Sequence, residues 1–80
     1  MRVETLANNQ VIIKDKEKKY FFSYDTCICV MDDKSTVLDR YAYDCSTTTK
    51  KYLSQFLGEG FNEIQAKIDN KTYKLKNLNK

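Results

Sequence analysis

Apolar and polar positions along the 80-residue chain change their period once, close to residue 45. Before that point the pattern is that of strands separated by polar turns. RVETLA (2–7) has modest strand character, and NNQ (8–10) interrupts it. VIIK (11–14) is β-branched and reads as a second strand, and DKEKK (15–19) as a charged turn. YFFSYDTCICVM (20–31) is the most strand-like stretch. It forms either one long bent strand or two strands broken near Ser23–Asp25. DDKS (32–35) then makes a hairpin turn, and TVLDRYAY (36–43) is the return strand, which places Tyr41 and Tyr43 on one face with Val37 and Asp39.

From Cys45 onward the period is helical. Ser46 is placed to cap a helix, because its hydroxyl accepts from a free N–H of the first turn. Thr49, Leu53, Phe56 and Leu57 follow along one face, and Gly58 supplies the left-handed stop. A second short helix over 62–69 takes Asn62 as its cap, with Gln65 in capping-box position and Phe61 just outside. TYKLKNL (72–78) alternates again, with Lys74 and Lys76 outward, as suits a sheet edge. The expectation is one domain over residues 1–80, of α+β class. Its four- or five-stranded antiparallel sheet carries two short helices packed on one face, in the order β-β-β-β-α-α-β.

Chemistry enters with TCICV (26–30). On a regular strand Cys27, Cys29 and Met31 share one face and Ile28 and Val30 the other, so both faces are apolar and the strand lies inside the sheet. Free cysteine packs as a small hydrophobe, and that reading is favoured. A structural zinc ion usually takes four ligands, whereas the chain has three thiols, at Cys27, Cys29 and Cys45, and no histidine. Asp44 is the residue that would complete such a set. A regulatory thiol is the other alternative. A Cys27–Cys29 disulfide is disfavoured, since side chains two apart on a strand are separated by roughly 6.5–7 Å.

Without histidine the commonest general base and the usual nucleophile–histidine pairs are missing. No phosphate loop and no interleaved acidic calcium loop is present. Catalysis and a bound cofactor are therefore not expected. The net charge of +3 is too small to argue for nucleic acid, but its distribution is uneven. Residues 1–19 carry +2, residues 20–45 carry −3, and residues 46–80 carry +4. No apolar run approaches the roughly 18 residues of a membrane helix, and the first residues lack the apolar core of a signal peptide. An odd number of cysteines argues for a reducing compartment. A cytoplasmic protein is expected.

The informative excess is aromatic, with six tyrosines and four phenylalanines. Phe21 and Phe22 point to opposite faces, so at most one lies in the core beneath the helices. Tyrosine suits a surface half dry and half wet, such as an interface. The run LDRYAYDCSTTTKKYLSQFLG (38–58), with Ser23–Tyr24 upstream and EIQAKID (63–69) and NLN (77–79) downstream, resembles a family of small uncharacterised proteins common in gut bacteriophages. Cys45 stands where that family carries an aromatic. The resemblance implies a phage origin and a host-cell cytoplasmic setting, where small non-enzymatic proteins often act by stoichiometric binding. Inhibitors of CRISPR effectors and of other host defences are a prominent class.

The resulting expectation is a protein-binding inhibitor of a host or defence protein, with its contact residues at the sheet-to-helix junction. These are Tyr41, Tyr43 and Asp44, with Lys50 and Lys51 on the outward face of the helix. The alternatives are a small nucleic-acid-binding accessory protein using Lys50, Lys51, Lys74 and Lys76, with a nucleoprotein complex as one route to nucleic acid, and a self-assembling virion or accessory component; a homodimer is among the partners to be considered.

Overall fold

The computed structural model describes residues 2–79. Six strands and two helices follow in the order β1 (Arg2–Ala7), β2 (Gln10–Asp15), β3 (Lys18–Ser23), β4 (Thr26–Met31), β5 (Thr36–Asp39), α1 (Thr47–Leu57), α2 (Phe61–Asp69) and β6 (Tyr73–Lys76). The strands lie side by side in chain order. Each of the first four neighbouring pairs is antiparallel, and β5–β6 is parallel.

The sheet is thus six-stranded and mixed, where four or five antiparallel strands were expected. Two physical features account for the difference. The 20–31 stretch is divided by a two-residue turn in which Tyr24 takes a left-handed conformation (φ 57°). That conformation is what a tight hairpin turn demands. Asn9 (φ 64°) and Lys16 (φ 56°) do the same in the β1–β2 and β2–β3 turns. The parallel pair arises because β6 is reached through two helices, and a crossover of that length returns the chain in the direction of β5.

The return strand also ends sooner than the alternation suggests, at Asp39. The Asp39 main-chain oxygen accepts from the N–H groups of Ala42 (3.3 Å) and Tyr43 (3.1 Å), and its carboxylate Oδ2 accepts from the Tyr41 N–H (3.2 Å). Residues 40–45 therefore form turns, and Tyr41 and Tyr43 do not share a strand face with Val37 and Asp39.

The first helix follows its sequence pattern. Ser46 caps it, with Oγ accepting from the Thr49 N–H at 3.1 Å, and Gly58 closes it at φ 71°. Thr49 and Leu53 are buried. The second helix begins one residue early. Phe61 is its first residue, Gly60 precedes it without a side-chain cap, and Asn62 lies inside the first turn rather than at the cap.

Both helices cover one face of the sheet. Ile12, Phe21, Cys29, Leu38 and Leu75 form a continuous cross-strand row from β2 to β6. Phe21 stacks on Phe56 of α1 with ring centroids 5.7 Å apart. Leu53 and Ile64 bring the two helices into the same cluster, and Phe21, Cys29, Leu38, Leu53 and Ile64 are all fully buried. Close to this core, Ser23 and the buried Thr49 hydroxyl share a 3.4 Å hydrogen bond. Gln10, the cross-strand neighbour of Ser23, is buried with its Oε1 unpartnered.

The two thiols of β4 do not share a face. Phe21 pairs with Cys29, but Phe22 pairs with Cys27, so Ile28 is an extra residue in β4. Such a bulge shifts the alternation by one position. Cys29 joins the row beneath the helices, and Cys27 stands opposite Phe22 on the other face. Both thiols are buried and free.

Candidate functional site

The sheet-to-helix junction is built around Asp39, which is only 2% exposed. One carboxylate oxygen holds the Tyr41 N–H and the other accepts the Leu78 N–H at 2.8 Å. A single buried acid thereby fixes the turn that follows β5 and the segment that follows β6. Arg40 ties the same turn to β6, its N–H donating to the Lys76 carbonyl at 2.8 Å and its Nη2 to the Leu75 carbonyl at 3.3 Å. The turn leads into α1 through Ala42, which is buried, and through the Cys45 N–H, which donates to the Ala42 carbonyl at 3.2 Å.

On this frame the predicted contact residues take different roles. Tyr41 is 70% exposed. Tyr43 is half-buried and stacks on Phe61 with centroids 6.3 Å apart and rings 11° from parallel. Its hydroxyl donates to Gln65 Oε1 at 3.4 Å. Lys50 sets its ammonium 5.2 Å above the Phe61 ring, and Lys51 places its own 5.4 Å from the Tyr52 ring. Asp44 is exposed, and Ser46 rather than Asp44 caps the helix. The structure thus brings Tyr43, Lys50 and Phe61 into one aromatic–cationic stack beside the outward Tyr41.

One residue belongs to this surface that sequence reasoning did not single out, and a second stands at the same end of the sheet. Phe61 was expected outside the second helix, yet it is the ring on which both Tyr43 and Lys50 rest. Tyr24, 66% exposed, stands in the β3–β4 turn at the same end of the sheet as the 40–45 turn. A tyrosine in a two-residue turn is unusual, because left-handed φ favours glycine or asparagine. That mismatch was the readable signal.

The four lysines of the nucleic-acid reading are not brought together. Lys50 and Lys51 lie on α1, in the helical layer. Lys74 and Lys76 occupy β6 positions that alternate with Tyr73 and Leu75, whose side chains pack under the helices, and so they face away from that layer.

A second polar cluster joins α2 to β6. Lys67 and Tyr73 both donate to the Glu59 carboxylate, and the Lys67 ammonium lies 5.3 Å from the Tyr73 ring. The Lys67 hydrogen bond, with that of Tyr73 after it, holds the Glu59 carboxyl below the usual range. Burial, and then the bond to Glu59, pushes the Tyr73 phenol upward. This cluster fastens the base of the second helix. Among the described residues no group of three or more cysteine, aspartate or glutamate side chains is assembled to hold a metal ion, and no helix is long and apolar enough to cross a membrane.

The model of a family of unknown function, DUF8033, matches residues 1–74, and the chain belongs to that family. No curated protein and no solved structure matches it.

Proposed function

Starting from membership of a family without an assigned function, we propose that this protein acts without catalysis, by stoichiometric contact with another protein. In the phage setting that the sequence resemblance implies, that partner is a host or defence protein and the contact inhibits it. The observation that carries the reading is Tyr41. A large aromatic side chain is held in solvent on a turn whose main chain is pinned by a buried carboxylate. An aromatic presented without further ordering loses little entropy on docking, and tyrosine is among the residues that dominate binding energy at interfaces.

The surroundings support the same reading. Tyr43, Phe61 and Lys50 form a packed base beside Tyr41, and Asp44 and Lys51 supply charges of both signs at the margin, where rim charges tune association more than affinity. The test begins with affinity capture of host proteins by the full chain. Tyr41→Ala is expected to weaken the captured complex by about tenfold or more while shifting stability by no more than about 0.5 kcal/mol. Equal capture by wild type and variant removes Tyr41 from the site. Binding that instead collapses steeply with salt identifies a nucleic-acid contact, because phosphate recognition releases counterions.

A further inference from the structure

The outer edge of β6 is one end of the sheet, with no strand beyond it among the described residues. The bond from the Arg40 N–H to the Lys76 carbonyl continues the parallel β5–β6 ladder and fixes its phase. Lys74 and Lys76 turn their main-chain groups toward β5, and Tyr73 and Leu75 turn theirs toward the open edge. Of these outward groups only the Leu75 carbonyl has a partner among the described residues, Arg40 Nη2 at 3.3 Å. The Tyr73 N–H and carbonyl and the Leu75 N–H are left free. A groove of about 410 Å³ runs along the same edge, lined by Ile68, Lys71, Tyr73, Lys74, Leu75 and Lys76. Its apolar residues are half-buried and its three lysines are exposed.

We propose that this groove takes an extended acidic segment of a partner protein, which adds to the sheet beside β6. The main-chain and side-chain patterns agree on that occupant. An added strand pairs its main chain with Tyr73 and Leu75. Its alternate side chains then fall beside Lys74 and Lys76 on one face and beside Leu75 and Ile68 on the other. The matching segment therefore alternates acidic and apolar residues. The lysines are available to it, since Lys71, Lys74 and Lys76 enter none of the ion pairs among the described residues. The acids beside them are engaged elsewhere. Asp69 accepts from Gln65 Nε2, and Asp39, opposite Lys76 in the register, is buried and holds the Tyr41 and Leu78 N–H groups.

Two other occupants fit less well. A second copy would bring either its own β6, setting lysine against lysine, or its β1, whose one acid, Glu4, is already paired with Lys14 and Arg2. Single-stranded nucleic acid would answer the lysines but not the free main-chain groups, and it binds by stacking on open aromatic rings. The one ring in the groove, Tyr73, is held by its hydroxyl on Glu59 and lies close to the Lys67 ammonium. Lysines on an edge strand turn away neutral and basic strands, so the charges that guard this edge also select an acidic one. The groove is a second contact site, apart from the Tyr41 surface, and does not depend on the proposed function.

The test uses the full chain and a labelled octapeptide that alternates glutamate and valine. Fluorescence anisotropy is expected to show it binding at least about tenfold tighter than a lysine–valine octapeptide of the same alternation, and tighter than an octaglutamate by the same margin. Lys74→Glu combined with Lys76→Glu, both at exposed positions, is expected to weaken binding by about tenfold or more. In the wild-type chain, amide hydrogen exchange at Tyr73 and Leu75 is expected to slow when the octapeptide saturates the groove, while the Lys74 and Lys76 amides, already bonded to β5, stay as they are. No binding of the octapeptide up to about 1 mM overturns the proposal. So does binding that the octaglutamate matches, binding that leaves the Tyr73 and Leu75 amides exchanging as before, or binding indifferent to the two glutamate substitutions. A single-stranded oligonucleotide that binds more tightly than the octapeptide, and through the same lysines, overturns it in favour of a nucleic-acid groove.

Discussion

Phe21 and Phe22 are neighbours in the chain and opposites in environment. Phe21 is fully buried against Phe56 of α1, whereas Phe22 stands half-buried on the side without helices. The same division runs across the sheet. One row of side chains, from Ile12 to Leu75, lies beneath the helices, and a second row, Ile13–Tyr20–Val30–Val37, is equally apolar and, among the described residues, has no helix over it. Folding of a small α+β domain requires only the first row to be apolar. The apolar second row is therefore not a requirement of folding, and its interior carries no charge.

The contrast is broken most directly by truncating each ring. Phe21→Ala is expected to cost about 3–5 kcal/mol, since it empties a site closed on every side. In a chain of this size that is most of the folding free energy, so urea unfolding should start from a largely unfolded baseline. Phe22→Ala is expected to cost only about 1 kcal/mol, because its half-buried ring has no helix against it. Equal costs for the two substitutions would show that the open face is closed within a single copy.

The thiols repeat the comparison at lower stakes. Burial, with Cys27 nearby, pushes the Cys29 thiol from 9.0 up to about 12. Cys27 is raised as well, by burial first and then by the Asp39 charge. A raised folded value means that the fold favours the neutral thiol. The stability this contributes is complete below pH 9.0 and is lost as pH climbs through about 12. Urea midpoints should accordingly hold level up to about pH 9 and fall above it. Cys29→Ala should flatten the fall, leaving the part due to Cys27 and to Tyr73, whose phenol is also raised. A thiol reagent applied to the native protein at pH below that window should modify Cys45 quickly, because it alone of the three is exposed, and should reach Cys27 and Cys29 only after denaturation.

How much of this was legible in the sequence depended on whether the deciding interaction was local. Helix α1 was readable end to end, because Ser46, the Thr49–Leu53–Phe56–Leu57 face and Gly58 each act within a turn or two of their own position. The central place of β4, the burial of its thiols and the opposition of Phe21 to Phe22 followed from simple alternation. The bulge at Ile28 did not, since it is set by pairing with β3. The early end of β5 was hidden because Asp39 sits in a strand-like run while its carboxylate acts on Tyr41 and on Leu78, thirty-nine residues away. The parallel direction of β6 is a property of the crossover rather than of YKLK. At the candidate site the residue types were readable, but the division into an outward Tyr41 and a Tyr43 committed to Phe61 depends on where the turn bends.

The last prediction concerns a place where the chain itself reaches the end of β4. Cys27 lies beyond the end of the β4–β5 pairing, which begins at Cys29, so its main-chain groups find no strand partner there. Asn79 fills the gap. Its Oδ1 accepts from the Cys27 N–H at 2.7 Å and its Nδ2 donates to the Cys27 carbonyl at 2.9 Å, one side-chain amide standing in for a length of strand. Leaving both part-buried groups unpaired is expected to cost about 1–2 kcal/mol on Asn79→Ala. Asn79→Asp keeps the acceptor and loses the donor, and should fall between the variant and wild type. Asn77→Ala, whose carboxamide is exposed and accepts only from the Asn79 N–H, should change stability by less than about 0.5 kcal/mol. Amide hydrogen exchange at Cys27 reads the effect locally, and it should quicken in Asn79→Ala while the Cys29 amide stays protected. If exchange at Cys27 is unchanged, this strand end is protected by something other than the tail.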